Sequence, residues 1–272
     1  MIFKIIAAIT LLSILPAVLA AGLIAPFSPF SAHKQSFLFS FILFLLLIDG
    51  ILIFAVLERR APIFGRIFWK GLPGSNRICL TFDDGPNEPF TSELISVLNR
   101  YGVRATFFLI GSNCERFPDS VKAIHDAGHV IGNHTWSHEV LPLKLPSSVR
   151  EEIMKTSVLI EKYTGQKPAF FRAPHGWRNP WVDRIARQSG CTPVAWTLGV
   201  WDTDRPGAEN IVRRTLQGVT DGCILLLHDG RGTKHRPDSS QLVQALPAIL
   251  EELRRCGYRF VTLPELMETT AR

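Results

Sequence analysis

From Ile78 to the C-terminus, short apolar runs alternate with amphipathic stretches, and Pro or Gly stands at most of the boundaries. ICLTF (78–82), ATFFLIG (105–111), HVIGN (129–133), AFFRAP (169–174), PVAWTL (193–198), CILLLHDG (223–230) and YRFVTL (258–263) read as strands. Helical patterns fill the intervals near 90–101, 118–127, 147–164, 180–189, 208–218 and 239–256. Strands separated by helices are joined by crossovers, so the sheet is parallel and its faces are covered. Six or seven such units in about 200 residues predict an α/β fold of the distorted (β/α)7-barrel type rather than an open sheet. In such barrels the reactive groups stand just beyond the carboxyl ends of the strands. The segment RGTKHRPDSS (231–240) reads as an exposed loop before a helix.

The N-terminal part follows a different rule. Residues 5–25 carry no charge and residues 37–57 carry only Asp49. About 20 apolar residues span the hydrocarbon core as a helix, and each stretch is long enough. A hydrophobic helical hairpin is expected, with spans at about 5–25 and 37–57, making 1–60 a membrane-anchoring region and 61–74 a basic linker. Lys4, the apolar run and Val18-Leu19-Ala20 also fit a cleaved signal peptide. After the second span, Arg59, Arg60, Arg66, Lys70 and Arg77 face Glu58 alone, an excess that favours the cytoplasmic side. The five cysteines (Cys79, Cys114, Cys191, Cys223, Cys256) show no metal or disulfide spacing, which suits free thiols in a reducing compartment. The expected location is therefore the inner (cytoplasmic) membrane, integral, with residues 75–272 facing the cytoplasm and the lipid bilayer as a partner. The net charge of +6 lies largely beside that membrane and lacks the aromatic–basic interleaving of a nucleic-acid surface.

Reactive side chains follow the predicted strands. Asp83 and Asp84 follow ICLTF, His134 and His138 follow HVIGN, Arg172 follows AFF, Asp202 follows the AWTL segment, and His228 follows CILLL. Alone, two histidines four apart are most often a polar surface pair, and an Asp-Asp-Gly-Pro is most often a solvated turn. Together on one rim they make a different proposition. On a helical turn, His134 and His138 project to one side, and one carboxylate completes a His₂Asp set with an open position for water. A divalent cation beside Asp84 would offset the repulsion between adjacent carboxylates and leave Asp83 free as a base. Such a set accepts zinc first, and also cobalt (Co2+), nickel (Ni2+) or manganese (Mn2+). His125, His129 and His235 are expected to be solvated.

The ordered motifs TFDDGP (81–86), HTWSH (134–138), RAPHG (172–176) and ILLLHD (224–229) resemble the polysaccharide deacetylases, carbohydrate esterase family 4. The resemblance covers roughly residues 75–265. It implies a distorted (β/α)7 barrel and a metal-dependent hydrolase removing an N-acyl group, usually N-acetyl, from an amino sugar. Carried over residue by residue, Asp83 matches the base, and Asp84, His134 and His138 match the metal ligands. His228 matches the acid that protonates the departing amine, and Arg172 matches the arginine that holds the base. Pro174, His175 and Gly176 match the substrate-facing segment, with the His175 backbone N–H at the oxyanion. One departure concerns the D-x-x-D-W block: WTLGVWDTD puts Gly199 and Thr203 where its first Asp and its Trp would fall, and only Asp202 matches. Either Asp202 or Asp229 is left to orient His228. His175 also replaces a frequent aromatic residue. The implied substrate is an amino-sugar glycan or glycolipid. A cytoplasmic domain suits a lipid-linked saccharide; a cell-wall or chitin-type oligomer requires the domain outside. An inactive saccharide-binding barrel is the rival from another class, and a metallopeptidase lacks support because no HExxH is present. Oligomeric state has no signature in the sequence.

Overall fold

The computed structural model describes residues 32–235 and 237–268. The first apolar stretch, 5–25, lies outside the described residues, and with it the first half of the expected hairpin. The second is helix α1 (Ala32–Leu57). Its Phe39–Leu57 segment, of mean hydropathy 2.8, is long and apolar enough to cross a membrane. Phe39, Leu47 and Phe54 point to the exterior, 71%, 62% and 58% exposed. Asp49 is buried.

Beyond α1 come β1 (Arg77–Gly85), α2 (Phe90–Arg100), β2 (Thr106–Leu109), α3 (Gly111–Arg116), α4 (Pro118–Asp126), β3 (Val130–Asn133), α5 (Pro146–Thr164), β4 (Phe170–Phe171) and α6 (Pro180–Gln188). They are followed by β5 (Thr192–Pro193), β6 (Leu198–Gly199), α7 (Ala208–Gly218), β7 (Cys223–His228), α8 (Ser240–Arg255), β8 (Arg259–Phe260) and α9 (Leu263–Glu268). The strand order is β5-β4-β3-β2-β1-β7-β6, with β8 beside the first residues of β1. Every named pairing is parallel. The distorted (β/α)7-type barrel expected from the alternation is present as a curled parallel half-barrel, with β5 and β6 at its two edges.

One predicted strand divides in two. PVAWTL was expected as a single run, but Pro193 ends β5 on one edge of the sheet and Leu198 starts β6 on the other. Residues 194–197 cross the gap, and the chain at 68–70 lies along them. Phe68 bridges Val194, Ala195 N–H donates to Phe68 O (2.8 Å), and Thr197 Oγ1 donates to Trp69 O (2.7 Å). Two short helices, α3 and α9, fall where the sequence reading places loop and chain end.

Along β1, alternation separates two environments. Ile78, Leu80 and Phe82 join the core between the sheet and the helices α2, α4 and α8. Cys79 faces the barrel interior with Phe108, Ile224, Leu263 and Leu266, so α9 closes that end. Thr81 and Asp83 share the inner face with Arg172. The helix sites obey simple rules: Pro146 and Pro180 start α5 and α6, and Gly165 ends α5 in the left-handed region at φ 73°.

Candidate active site

Register alone gathers the reactive residues. β1 pairs with β7 so that Asp83 stands opposite His228. β3 pairs with β4 so that Asn133 stands opposite Phe171, which puts the next residues, His134 and Arg172, at one level. All lie at the carboxyl ends of parallel strands.

The paired carboxylates part company through backbone geometry. Between Asp83 and Gly85 the β1–β2 ladder carries a bulge, and Asp84 is left-handed at φ 73°. A bulge re-aims a side chain. Asp83 therefore turns inward and Asp84 toward the histidines. Gly85 is required there, because a Cβ would lie 2.0 Å from an Asp229 carboxylate oxygen.

Asp83 Oδ1 accepts a 2.7 Å bond from Arg172 Nη1, while Oδ2 lies 3.8 Å from His134 Nε2. Arg172 is fully buried. It also donates to Thr81 Oγ1 (2.8 Å) and Ala195 O (3.1 Å), and its guanidinium sits 4.1 Å over the Phe108 ring. Burial pulls the Arg172 pKa below its ordinary value, against the opposing pull of Asp83.

Asp84, His134 and His138 each bring one ligand atom, and these atoms lie within 4.8 Å of one another. Asp84 Oδ1 is 3.3 Å from His134 Nε2 and 3.0 Å from His138 Nε2. His134 Nδ1 lies 2.7 Å from Arg172 O. A carbonyl only accepts, so Nδ1 carries the proton and Nε2 keeps its lone pair. Asp84 Oδ2 is taken by Gly232 N–H at 2.8 Å, whereas the buried Oδ1 has no hydrogen-bond partner. Two imidazole nitrogens beside an unsatisfied buried carboxylate oxygen make a three-atom donor set that fits a divalent cation. Burial opposes ionisation of Asp84, yet when the imidazoles carry protons His138 and His134 outweigh it and hold the carboxyl well below the usual range.

The HTWSH segment is not a helical turn, contrary to the spacing argument. It is a loop with Thr135 and His138 left-handed at φ 69° and 57°. Glu152 on α5 holds it: the carboxylate accepts from Trp136 N (2.9 Å), Ser137 N (2.8 Å) and Ser137 Oγ (2.7 Å). Asn133 Oδ1 accepts from Thr135 N at 2.8 Å. No local pattern marks Glu152, which is remote in sequence and ordinary in its helix.

Across from the histidines, His228 is held twice by one carboxylate. Asp202 Oδ1 is 3.0 Å from Nδ1, and Oδ2 accepts from the His228 backbone N–H at 2.8 Å. Burial alone would lower the His228 pKa, but Asp202 first, then Asp84 and Asp83, raise it to about 9. Asp229 is not the orienting group. It turns away, accepting from Thr91 Oγ1 at 2.6 Å.

Pro174, His175 and Gly176 form a 3₁₀ turn with His175 at φ 60°. The His175 ring stands edge-on to His138 at 4.7 Å between centroids and 4.9 Å from Trp177. Of the three histidines expected to be solvated, His235 is exposed and His125 half-buried. His129 is a correction: it is 5% exposed, and Nδ1 accepts from Ala105 N at 3.2 Å. The loop at 231–240 is exposed in part, but its Gly232 backbone frames Asp84, and Asn113 Nδ2 ties Asp84 O to Gly232 O (2.8 and 3.1 Å).

With this geometry in view, the family assignment has independent support. A polysaccharide deacetylase family profile matches residues 70–194. A peptidoglycan-N-acetylglucosamine deacetylase of Bacillus cereus is 36% identical over 217 residues, 78% of this chain and 98% of the relative. The chain belongs to the polysaccharide deacetylase family. A chitooligosaccharide deacetylase of Bradyrhizobium is 33% identical over 213 residues, covering 75% of this chain and 97% of the relative. The crystal structure of a peptidoglycan N-acetylglucosamine deacetylase bound to 4-naphthalen-1-yl-N-oxidanyl-benzamide superposes with a TM-score of 0.69 at 34% identity, over 75% of this chain and 93% of that one.

Proposed function

We propose that this polysaccharide deacetylase family member is a hydrolase of carbon–nitrogen bonds that removes an N-acetyl group from an amino sugar of a glycan outside the cytoplasm. The observation that carries this reading is convergence: three metal-type ligands meet at one point, with Asp83 on Arg172 to one side and His228 on Asp202 to the other. A cation held by Asp84, His134 and His138 would supply an acidified water and polarisation of the amide carbonyl. Asp83 Oδ2 is the proton acceptor, because Oδ1 is occupied by Arg172. His228 donates a proton to the departing amine from its outer nitrogen, since Nδ1 is committed to Asp202. The His175 backbone N–H takes the developing oxyanion. Support for the saccharide class comes from the relatives' substrates, which are peptidoglycan and chitooligosaccharide by name.

A lipid-linked amino sugar on the cytoplasmic side is the second reading, favoured by the arginine excess after α1. That signal is weakened by what the arginines do. Arg59 lies 4.7 Å over Trp196 and Arg60 lies 4.8 Å over Trp69, so both serve to dock α1 on the barrel. The test of activity is acetate release from N-acetylated glycans by the zinc-loaded protein and by Asp83→Asn. Loss of the base costs roughly 10²–10⁴-fold. Full activity in that variant, or no release by wild type, overturns the reading.

A further inference from the structure

Four exposed apolar side chains gather around the C-terminal end of α1. Ile63, Leu143, Leu145 and Trp181 come from three separate stretches of chain, and Leu145 is 72% exposed. Hydrogen bonds bring those stretches together. Arg178 N–H donates to Val56 O at 3.3 Å and its Nη2 to Ala61 O at 2.7 Å, which fixes the start of α6 against the end of α1 and the turn Pro62–Phe64. Asn179 Nδ2 donates to Pro142 O at 3.3 Å, which fixes the turn Leu141–Leu143 beside them. Leu141 is buried beneath that turn, while Leu143 and Leu145 look outward on either side of Lys144. Arg184 and Arg187 follow Trp181 along the exposed side of α6.

Apolar side chains scattered singly over a surface need no explanation, but a contiguous group rimmed by polar residues marks a contact. Its neighbour indicates what covers it. The patch continues the surface of α1, whose Phe39–Leu57 segment is apolar enough to cross a bilayer and keeps Leu47 and Phe54 exposed. Where such a helix leaves the hydrocarbon, Trp settles at the membrane–water interface and apolar side chains dip into the headgroup–acyl boundary. Cations at that level meet anionic headgroups. Trp181, the two leucines and the two arginines stand in that arrangement around the end of the segment.

We propose that this patch is a membrane-resting face of the barrel, with a lipid bilayer as its partner. Leu143 and Leu145 enter the headgroup–acyl boundary, Trp181 lies in the interface, and Arg184 and Arg187 lie over the headgroups. The proposal rests on the reading that α1 crosses the membrane and is independent of the deacetylase reading. On this face the barrel lies against the lipid instead of swinging on a tether. The turn 174–176, which packs against Arg59, is then held beside the headgroup layer.

The experiment measures nitroxide accessibility on the full chain in nanodiscs of phosphatidylcholine and phosphatidylglycerol. Labels are placed in Leu145→Cys/Cys256→Ser, in Leu47→Cys/Cys256→Ser, and on the native Cys256. That exposed cysteine lies at the end of α8, which packs on α2 and α7, and the other four cysteines are buried. Oxygen concentrates in lipid, whereas a nickel chelate stays in water. The expected oxygen-to-nickel collision ratio is high at 47 and 145 and low at 256, with roughly a fivefold or greater difference between 145 and 256. A label at 145 as open to nickel as that at 256, with 47 immersed, overturns the resting face and leaves the span standing. A label at 145 shielded from both reagents means that protein covers the patch, either the 5–25 stretch or a second copy, and overturns the bilayer as its partner. A label at 47 open to nickel overturns the span, and the resting face with it.

Discussion

At the scale of single residues, Asp202 has the sharpest consequence. It fills the orienting role that the altered acidic block left open, and it does so from a left-handed turn: Trp201, just before it, has φ 57°. The motif narrowed the choice to Asp202 or Asp229, and backbone curvature, not spacing, brings Asp202 to His228. A raised pKa means that the acid form of His228 persists to about pH 9 and is lost above it. Replacing Asp202 with Asn removes the largest upward influence, so the alkaline limb of kcat should move to lower pH by a unit or more. The rate at the optimum should fall by roughly 10²-fold or more, as when the partner of a catalytic imidazole is neutralised. A pH–rate profile with an unmoved alkaline limb would deny Asp202 this role. His129 supplies the opposite sign. Burial pushes it down to about 4, and no acceptor meets its buried Nε2. The unfolded chain, with an ordinary pKa near 6.5, binds the proton first, so stability rises with pH between these values. From pH 7.5 to 5 the loss from this group is on the order of 2 kcal/mol. Urea unfolding of His129→Gln should show a flatter dependence over that interval than wild type.

Elements explain how far the chain could be read in advance. The strands β1 and β7 were legible because they are long and apolar, and they carry Asp83 and His228 to the rim together. Strands β4, β5 and β6 are two residues each, too short for periodicity to bound them. The division of PVAWTL is a property of the sheet's open edges, which no local window contains. The docking of α1 was equally hidden. Arg178 is buried against Asp183 at the start of α6, and it also reaches back to the end of α1: its Nη2 donates to Ala61 O at 2.7 Å and its backbone N–H to Val56 O at 3.3 Å. Burial raises the Asp183 pKa despite this partner. Removing the guanidinium strands a buried carboxylate, at a cost of about 3–5 kcal/mol. Arg178→Ala should therefore lower the melting midpoint by roughly 10 °C, and Arg178→Met/Asp183→Leu should recover most of it. If the single variant melts as wild type does, the pair is not what joins α6 to the end of α1.

For the whole molecule, the decisive relation is between the apolar helix and the mouth of the barrel. A Cβ on Gly176 would lie 3.0 Å from Arg59 Cβ and 2.7 Å from the Trp196 ring, so the end of α1 packs directly behind the proposed substrate turn. On the reading that α1 crosses a bilayer, its docking there would hold the site close to the membrane, whichever side it faces. The side follows from the number of crossings before residue 70. From a cytoplasmic N-terminus, an odd number places the barrel outside, where peptidoglycan-type glycans are, and an even number returns it to the cytoplasm. Two alkaline phosphatase fusions separate the cases, since the reporter is active only where its disulfides can form. The proposed outward-facing enzyme gives activity when the reporter follows residue 70 and none when it follows residue 30. The reverse pattern, active after residue 30 and silent after residue 70, would place the site in the cytoplasm. A glycan outside the cell could then no longer be the substrate.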